Sequence, residues 1–234
     1  MKRHIAAVAT ILSQIEQLYE TYRKTTDTGQ RKIIYHQIDS ISNEASKYAI
    51  ANEYDKLMAL IGSTQSNAGT NADYTYYEED IPSNQIENWA KIQSDRFKNM
   101  IIRGFHTELE TVYEEYNMSQ TVDFNKVYFK AFEILTPEHP YGQQTTLGKG
   151  EHLKNPSITN IYNYFRQWYV PNNSAICISG DIDIDKTIDI IRKYFGDFFR
   201  LNLRCKYSEF ITTHTYHNIC FSEGLLQYSC DTNQ

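Results

Sequence analysis

Residues 106–118, HTELETVYEEYNM, hold four glutamates, Glu108, Glu110, Glu114 and Glu115, set among Leu109, Val112, Tyr113 and Tyr116, with Phe105 just ahead. At 3.6 residues per turn, Phe105, Leu109, Val112 and Tyr116 fall at i, i+4, i+7 and i+11 and line one side of a helix. Glu108 and Glu115 lie two turns apart, so their carboxylates leave the helix in nearly the same direction. Two readings follow. One is an acidic face turned to solvent, the ordinary fate of a charge run. The other is a helix that presents carboxylates, beside an apolar stripe, to a metal. The flanking sequence has to choose.

Upstream, Ile81-Pro82-Ser83-Asn84 reads as a capped entry to a helix that carries Ile86, Trp89, Ala90, Gln93 and Phe97 and ends near Asn99. Before it come TNADYTYYEED (70–80), which is β-prone, and GSTQSNAG (62–69), small and polar, which reads as a loop. Residues 5–24 form an amphipathic helix with Val8, Ile11, Leu12, Ile15, Leu18, Tyr19 and Tyr22 on one face. TTDTGQ (25–30) breaks it, and a second helix starts at about Arg31 with Ile34, Ile38, Ile41, Ala45 and Tyr48, and either runs on or restarts near Asn52 through Leu57, Met58 and Ile61. Residues 1–62 therefore read as a helical hairpin. The opening Met1-Lys2-Arg3-His4 with IAAVATIL has the charge and apolar order of a leader peptide. Its helical period runs on through Tyr22, so we read it as the start of the first helix.

Downstream, Asp123 to about Leu135 is a helix with Phe124, Val127, Tyr128 and Ala131, and TPEHPYGQQTTLGK (136–149) is a long loop. Asn155-Pro156-Ser157 opens a helix carrying Ile158, Ile161, Tyr162, Phe165 and Tyr169, which Pro171 stops. SAICIS (174–179) reads as a buried strand, and 185–194 as a helix that buries Ile188, Ile191 and Phe195. Residues 200–234 show no clear period and offer at most an edge strand. A run of helices with few strands indicates an α+β fold rather than a regular βαβ array.

The chain of 234 residues, 41% hydrophobic and 14% aromatic, is long and apolar enough for a sizeable core and too apolar for a disordered chain. A net charge of -6 with scattered basic residues argues against a nucleic-acid partner. No apolar run approaches the roughly 20 residues that span a bilayer. The four cysteines, at 177, 205, 220 and 230, have no CxxC spacing, so no structural zinc pattern is present. Cys177, inside the apolar run Ala175 to Ile178, reads as a small buried hydrophobe. The other three leave a disulfide in the tail open.

Taken in order, several segments resemble the pitrilysin/insulinase family of zinc metallopeptidases. They are Gly69-Thr70-Asn71-Ala72, Ile81-Pro82-Ser83-Asn84, the pair Glu108 and Glu115, and His139-Pro140-Tyr141-Gly142. Thr146-Leu147-Gly148, Tyr169-Val170-Pro171-Asn172-Asn173 and Ile178-Ser179-Gly180-Asp181 complete the set. Each alone is weak; in this order and spacing, across residues 50–198, they are strong. The family consists of inverzincins, with HxxEH on one helix and a further glutamate ligand on a later one.

The resemblance implies a mitochondrial-processing-peptidase-like half-domain, an antiparallel sheet packed by helices, with residues 63–199 as its core and the hairpin of 1–62 as an insertion. It places Glu115 at the third zinc ligand and Glu108 at the acid that orients the site. Asn71 and Ala72 fall in the strand that pairs with a peptide substrate. Zinc would activate a water for peptide-bond hydrolysis, with a glutamate as general base. One departure governs the rest. Neither HxxEH nor HExxH occurs among His4, His36, His106, His139, His152, His214 and His217. The resemblance thus points to a family member that begins after its own zinc-binding helix and lacks two of three zinc ligands. Two functions follow: a fragment or inactive form of a zinc metalloendopeptidase that does not bind zinc stably alone, or a non-catalytic subunit or scaffold that pairs with a complementary peptidase half. The one substitute metal pair on offer is His106 with Glu110, one turn apart; its alternative is a capped, solvated pair.

Overall fold

The computed structural model describes the backbone of residues 2–200 and 218–222 and the side chains of residues 8–196. In chain order the elements are α1 (Lys2–Lys24), α2 (Thr28–Ser46), α3 (Glu53–Leu60), β1 (Gln65–Thr70) and β2 (Thr75–Asp80). Then come α4 (Ile86–Lys98), α5 (Phe105–Thr121), α6 (Asp123–Leu135), α7 (Pro140–Gln143) and α8 (Gly150–Leu153). The last are α9 (Ile158–Trp168), β3 (Ala175–Ser179), α10 (Ile184–Arg200) and β4 (Asn218–Ser222). Among the described residues helices dominate, and the strands form two two-stranded sheets, β1 with β2 and β3 with β4. Among the described residues no helix is long and apolar enough to cross a membrane.

The chain divides into two compact units. The first comprises 1–53, 67–78 and 101–162. Its core joins Ile15 and Tyr19 of α1, Ile34 and Ile38 of α2, and Ile158 of α9, with Phe105 and Leu109 of α5 packed against them. Polar contacts fix the same arrangement. The Thr159 hydroxyl donates to Glu16 and that of Ser157 to Glu20, while Ser157 Oγ accepts the Asn160 N–H and caps α9. Carboxylates at a helix N-terminus are favoured by its unpaired N–H groups and dipole.

The second unit comprises 54–66, 79–100 and 163–234. Ala90 of α4 packs with Ile191 and Phe195 of α10, and Ile176 and Ile178 of β3 lie against them. The β3–β4 ladder is antiparallel, in the register Ala175↔Ser222 to Ser179↔Asn218. Its counterpart in polar chemistry is Glu79 of β2. That carboxylate accepts hydrogen bonds from Tyr54, from Gln93 Nε2 at 2.9 Å and from Trp89 Nε1 at 3.2 Å, which pins β2 to α3 and α4.

Five features differ from the sequence reading. The second helix begins at Thr28 because Asp27 caps it, accepting the Gln30 N–H at 2.7 Å and drawing the expected break into the first turn. GSTQSNAG is not all loop: from Gln65 it pairs with β2, and backbone pairing overrides weak strand propensity. β3 is half covered rather than buried. Ile176 and Ile178 face the helices, while Ala175, Cys177 and Ser179 are exposed, so Cys177 is not a core hydrophobe. The loop 136–149 holds the short helix α7, and α10 runs on to Arg200. The residues of the tail outside 218–222, Cys205 and Cys230 included, lie outside the described residues.

Candidate functional site

Helix α5 follows Gly104, whose φ of 67° lies in the left-handed region that a side chain would strain. The Gly104 carbonyl accepts the Glu108 N–H at 3.0 Å. Phe105 and Leu109 face the first core. Glu108 and Glu115 are exposed beside that apolar stripe, as their two-turn spacing requires.

His106 is the buried polar group of α5, 8% exposed. Its Nδ1 lies 2.8 Å from the Tyr19 hydroxyl, and its Nε2 is 3.7 Å from Asp39 and 3.9 Å from Glu110. The Tyr35 hydroxyl donates to Glu110 at 3.0 Å, and its ring lies 5.1 Å from that of His106. Burial first, then the hydrogen bond to Glu110 and its charge, push the Tyr35 phenol up to about 12. Burial also pushes Tyr19 well above the ordinary phenol value, with the charges of Tyr35 and Glu110 adding. His106 is thus buried at the joint between α5 and the α1–α2 hairpin, while Glu110 stays exposed at its rim. Sequence spacing shows His106 with Glu110. Tyr19, Tyr35 and Asp39 carried no signal because they arrive from other helices.

Asn71 and Ala72, expected in a substrate-pairing strand, sit in the turn between β1 and β2. The Asn71 N–H donates to the Tyr74 carbonyl at 3.0 Å, and its side-chain oxygen accepts the Asp73 N–H at 3.4 Å, an Asx-type turn. Asp73 in this turn accepts a hydrogen bond from the Tyr141 hydroxyl. The structure therefore brings the GTNA and HPYG segments together. Within HPYG, His139 caps α7 by accepting the Tyr141 N–H at 3.3 Å, with the two rings edge to face at 4.4 Å. Gly142 is required there: a Cβ would fall 2.2 Å from the Thr136 carbonyl oxygen.

A catalytic zinc takes three protein ligands and keeps one open position. Glu115 and Glu108 supply carboxylates alone, and Nδ1 of His106 is engaged by the Tyr19 hydroxyl at the hairpin joint. Among the described residues no group of three or more His, Cys, Asp and Glu side chains is arranged to hold a metal ion. This donor set does not fit a catalytic zinc by itself.

The family model described as "Peptidase M16 inactive domain" matches residues 157–217. The zinc protease PqqE of Helicobacter pylori (strain ATCC 700392 / 26695) is 22% identical over 192 residues, covering 81% of this chain and 43% of that protein. The chloroplastic stromal processing peptidase of Arabidopsis thaliana is 24% identical over 183 residues, covering 68% of this chain and 14% of its own length. A zinc protease PQQL-like protein of the same plant is 22% identical over 181 residues, covering 72% and 18%. A crystal structure of a protease from Helicobacter pylori superposes with a TM-score of 0.60 at 22% identity, covering 70% of this chain and 40% of that one. The chain spans less than half the length of each of these relatives. The fold is an α+β half-domain like that protease's. The ordered motifs, the match over residues 157–217 and the shared fold agree in their likeness to pitrilysin-like M16 peptidases.

Proposed function

We propose that these 234 residues act as the non-catalytic half of a pitrilysin-like zinc metallopeptidase, which hydrolyses no peptide and holds no zinc stably alone. A complementary half bearing HxxEH would complete the site, whether joined covalently or supplied as a separate subunit. We read residues 63–199 as the peptidase core and residues 1–62 as an insertion. In this reading Glu115 is the third ligand, Glu108 orients it, and the β1–β2 hairpin around Asn71 and Ala72 is the edge that meets a peptide. Zinc, once three ligands hold it, supplies the activated water; this chain contributes one carboxylate and its support.

The observation that carries the reading is an uncovered stripe on α6, in the same unit as Glu108 and Glu115. Phe124, Val127, Tyr128, Ala131, Ile134 and Leu135 fall at i, i+3, i+4, i+7, i+10 and i+11, the pattern of a helix face that normally lies in a core. Instead Phe124 is 73%, Val127 70%, Ile134 67% and Leu135 77% exposed. An apolar stripe of that extent marks an interaction surface. Its setting in a chain that covers 43% of a zinc protease supports a missing half as its cover.

The test is elemental analysis of the purified chain together with hydrolysis of a quenched fluorescent peptide library. The expected result is zinc far below one equivalent and no turnover. Stoichiometric zinc with turnover that Glu115→Gln abolishes would overturn the reading.

A further inference from the structure

The residues of the two-stranded β1–β2 sheet are exposed except Gly69 in β1 and Tyr77 and Glu79 in β2. A hairpin of that kind is marginal in water by itself, so its tip takes its position from what it touches. Within the tip the strands hold each other. Thr70 Oγ1 and Thr75 Oγ1 lie 3.3 Å apart, and the Tyr76 ring stands over Gly69, where a Cβ would fall 2.5 Å from Tyr76 Cε1. The Asn71 side-chain oxygen closes the turn on the Asp73 N–H at 3.4 Å. That leaves the Asp73 carboxylate for a partner outside the turn, the Tyr141 hydroxyl, which donates to it. Both residues belong to the first unit.

Tyr141 is fixed from the other side. The Thr136 hydroxyl and N–H each reach the Phe132 carbonyl at 2.9 Å, which closes the end of α6. Gly142 seats α7 against the Thr136 and Phe132 carbonyls, where a side chain has no room. His139 caps α7 and holds its ring edge to face with that of Tyr141. A backbone built this closely leaves the phenol little freedom. The contact with Asp73 is exposed, so it opens without disturbing a core. A carboxylate acceptor strengthens it over a neutral one, which suits a contact that has to hold a turn from outside.

We propose that Tyr141 is the latch of the β1–β2 hairpin. With its hydroxyl bonded to Asp73, the turn of residues 71–74 is held to α7; with the bond broken, the tip moves free of it. Resting on the reading above that this hairpin meets a peptide, Tyr141 is a positioning residue for that peptide. It acts through Asp73 and touches no reacting atom.

The experiment compares amide hydrogen exchange, read by mass spectrometry, in the full chain and in its Tyr141→Phe and Asp73→Ala variants. Tyr141→Phe removes one oxygen and keeps the ring against His139, so α7 stays built. Exchange across residues 70–78 should rise about 2- to 10-fold in each variant and no further in the double variant, while α1, α2 and α5 keep the parent rates. A short fluorescein-labelled peptide of alternating valine and threonine probes the edge by anisotropy. Its affinity should fall by a similar factor in Tyr141→Phe at an unchanged melting temperature. Parent rates retained across 70–78 in Tyr141→Phe, or a rise spread evenly over the first unit, would overturn the latch. Equal affinity in parent and variant overturns the positioning role. A parent that leaves the peptide unbound overturns the peptide edge itself, and the exchange rates still decide the latch.

Discussion

The Tyr19 hydroxyl of α1 lies 2.8 Å from Nδ1 of His106 on α5, and both side chains are buried. This contact helps join the hairpin to the glutamate helix, and the Tyr19 ring also meets Phe105 edge to face at 5.2 Å. Tyr19→Phe keeps the packing and leaves a buried ring nitrogen without its partner. That should cost about 1–3 kcal/mol, read as a lower urea midpoint with an unchanged slope. Adding His106→Leu should recover part of the loss, since removing both partners of a buried hydrogen bond is cheaper than removing one.

Alkaline stability should fall early. Burial and the hydrogen bonds to Glu110 and Glu79 raise Tyr35 and Tyr54 from 10.0 to about 12 in the folded chain. The folded state therefore holds these protons more tightly than the unfolded state. Their contribution is whole below about pH 10 and is lost as pH climbs towards 12. Thermal melts between those values should show a decline that Tyr35→Phe and Tyr54→Phe each make shallower.

Glu20 sets the acid side. The Ser157 hydroxyl, then Arg23, hold its carboxyl below the usual value of 4.5. The unfolded chain thus binds this proton first, and the contribution is present above that value and lost as pH falls through the lower folded one. Ser157→Ala should weaken the acid dependence of the melting temperature while also loosening the cap of α9.

Glu108 and Glu115 stand apart from the folding energetics. Both are exposed, so Glu108→Gln and Glu115→Gln should each leave unfolding free energy within about 0.5 kcal/mol of the parent. A larger loss by chemical denaturation would assign these carboxylates to the fold rather than to a site.

The α6 stripe should behave as a contact surface. Val127→Asp and Leu135→Asp touch no core, so the melting temperature should hold while self-association at raised concentration falls. Light scattering of parent and variants side by side checks this; parent and variants that are equally monodisperse would show that the stripe does not drive self-association.

How much was legible before the structure depends on the range of the interaction concerned. Ser157 and Asp27 both cap within three residues; the entry at Asn155-Pro156-Ser157 was legible, whereas Asp27 was read as part of a break and its helix start at Thr28 was missed. Burial was legible only in part. The Phe124–Leu135 stripe has the period of a core helix, yet period reports which residues share a face and not whether anything covers it. Cys177 was misplaced for the same reason: an apolar run describes a strand without saying that one of its faces is open.

What sequence determined by itself was the helical hairpin, the paired glutamates two turns apart, the α+β class and the likeness to pitrilysin-like peptidases, because these rest on chain periodicity and on motifs in order. Only tertiary structure decided the rest. It brought Tyr19, Tyr35 and Asp39 from two helices around His106, drew the Asn71–Ala72 turn to HPYG through Asp73 and Tyr141, and set Cys177 opposite Cys220. Such contacts join residues tens of positions apart, where no local pattern links the partners and only the packed chain supplies their distance.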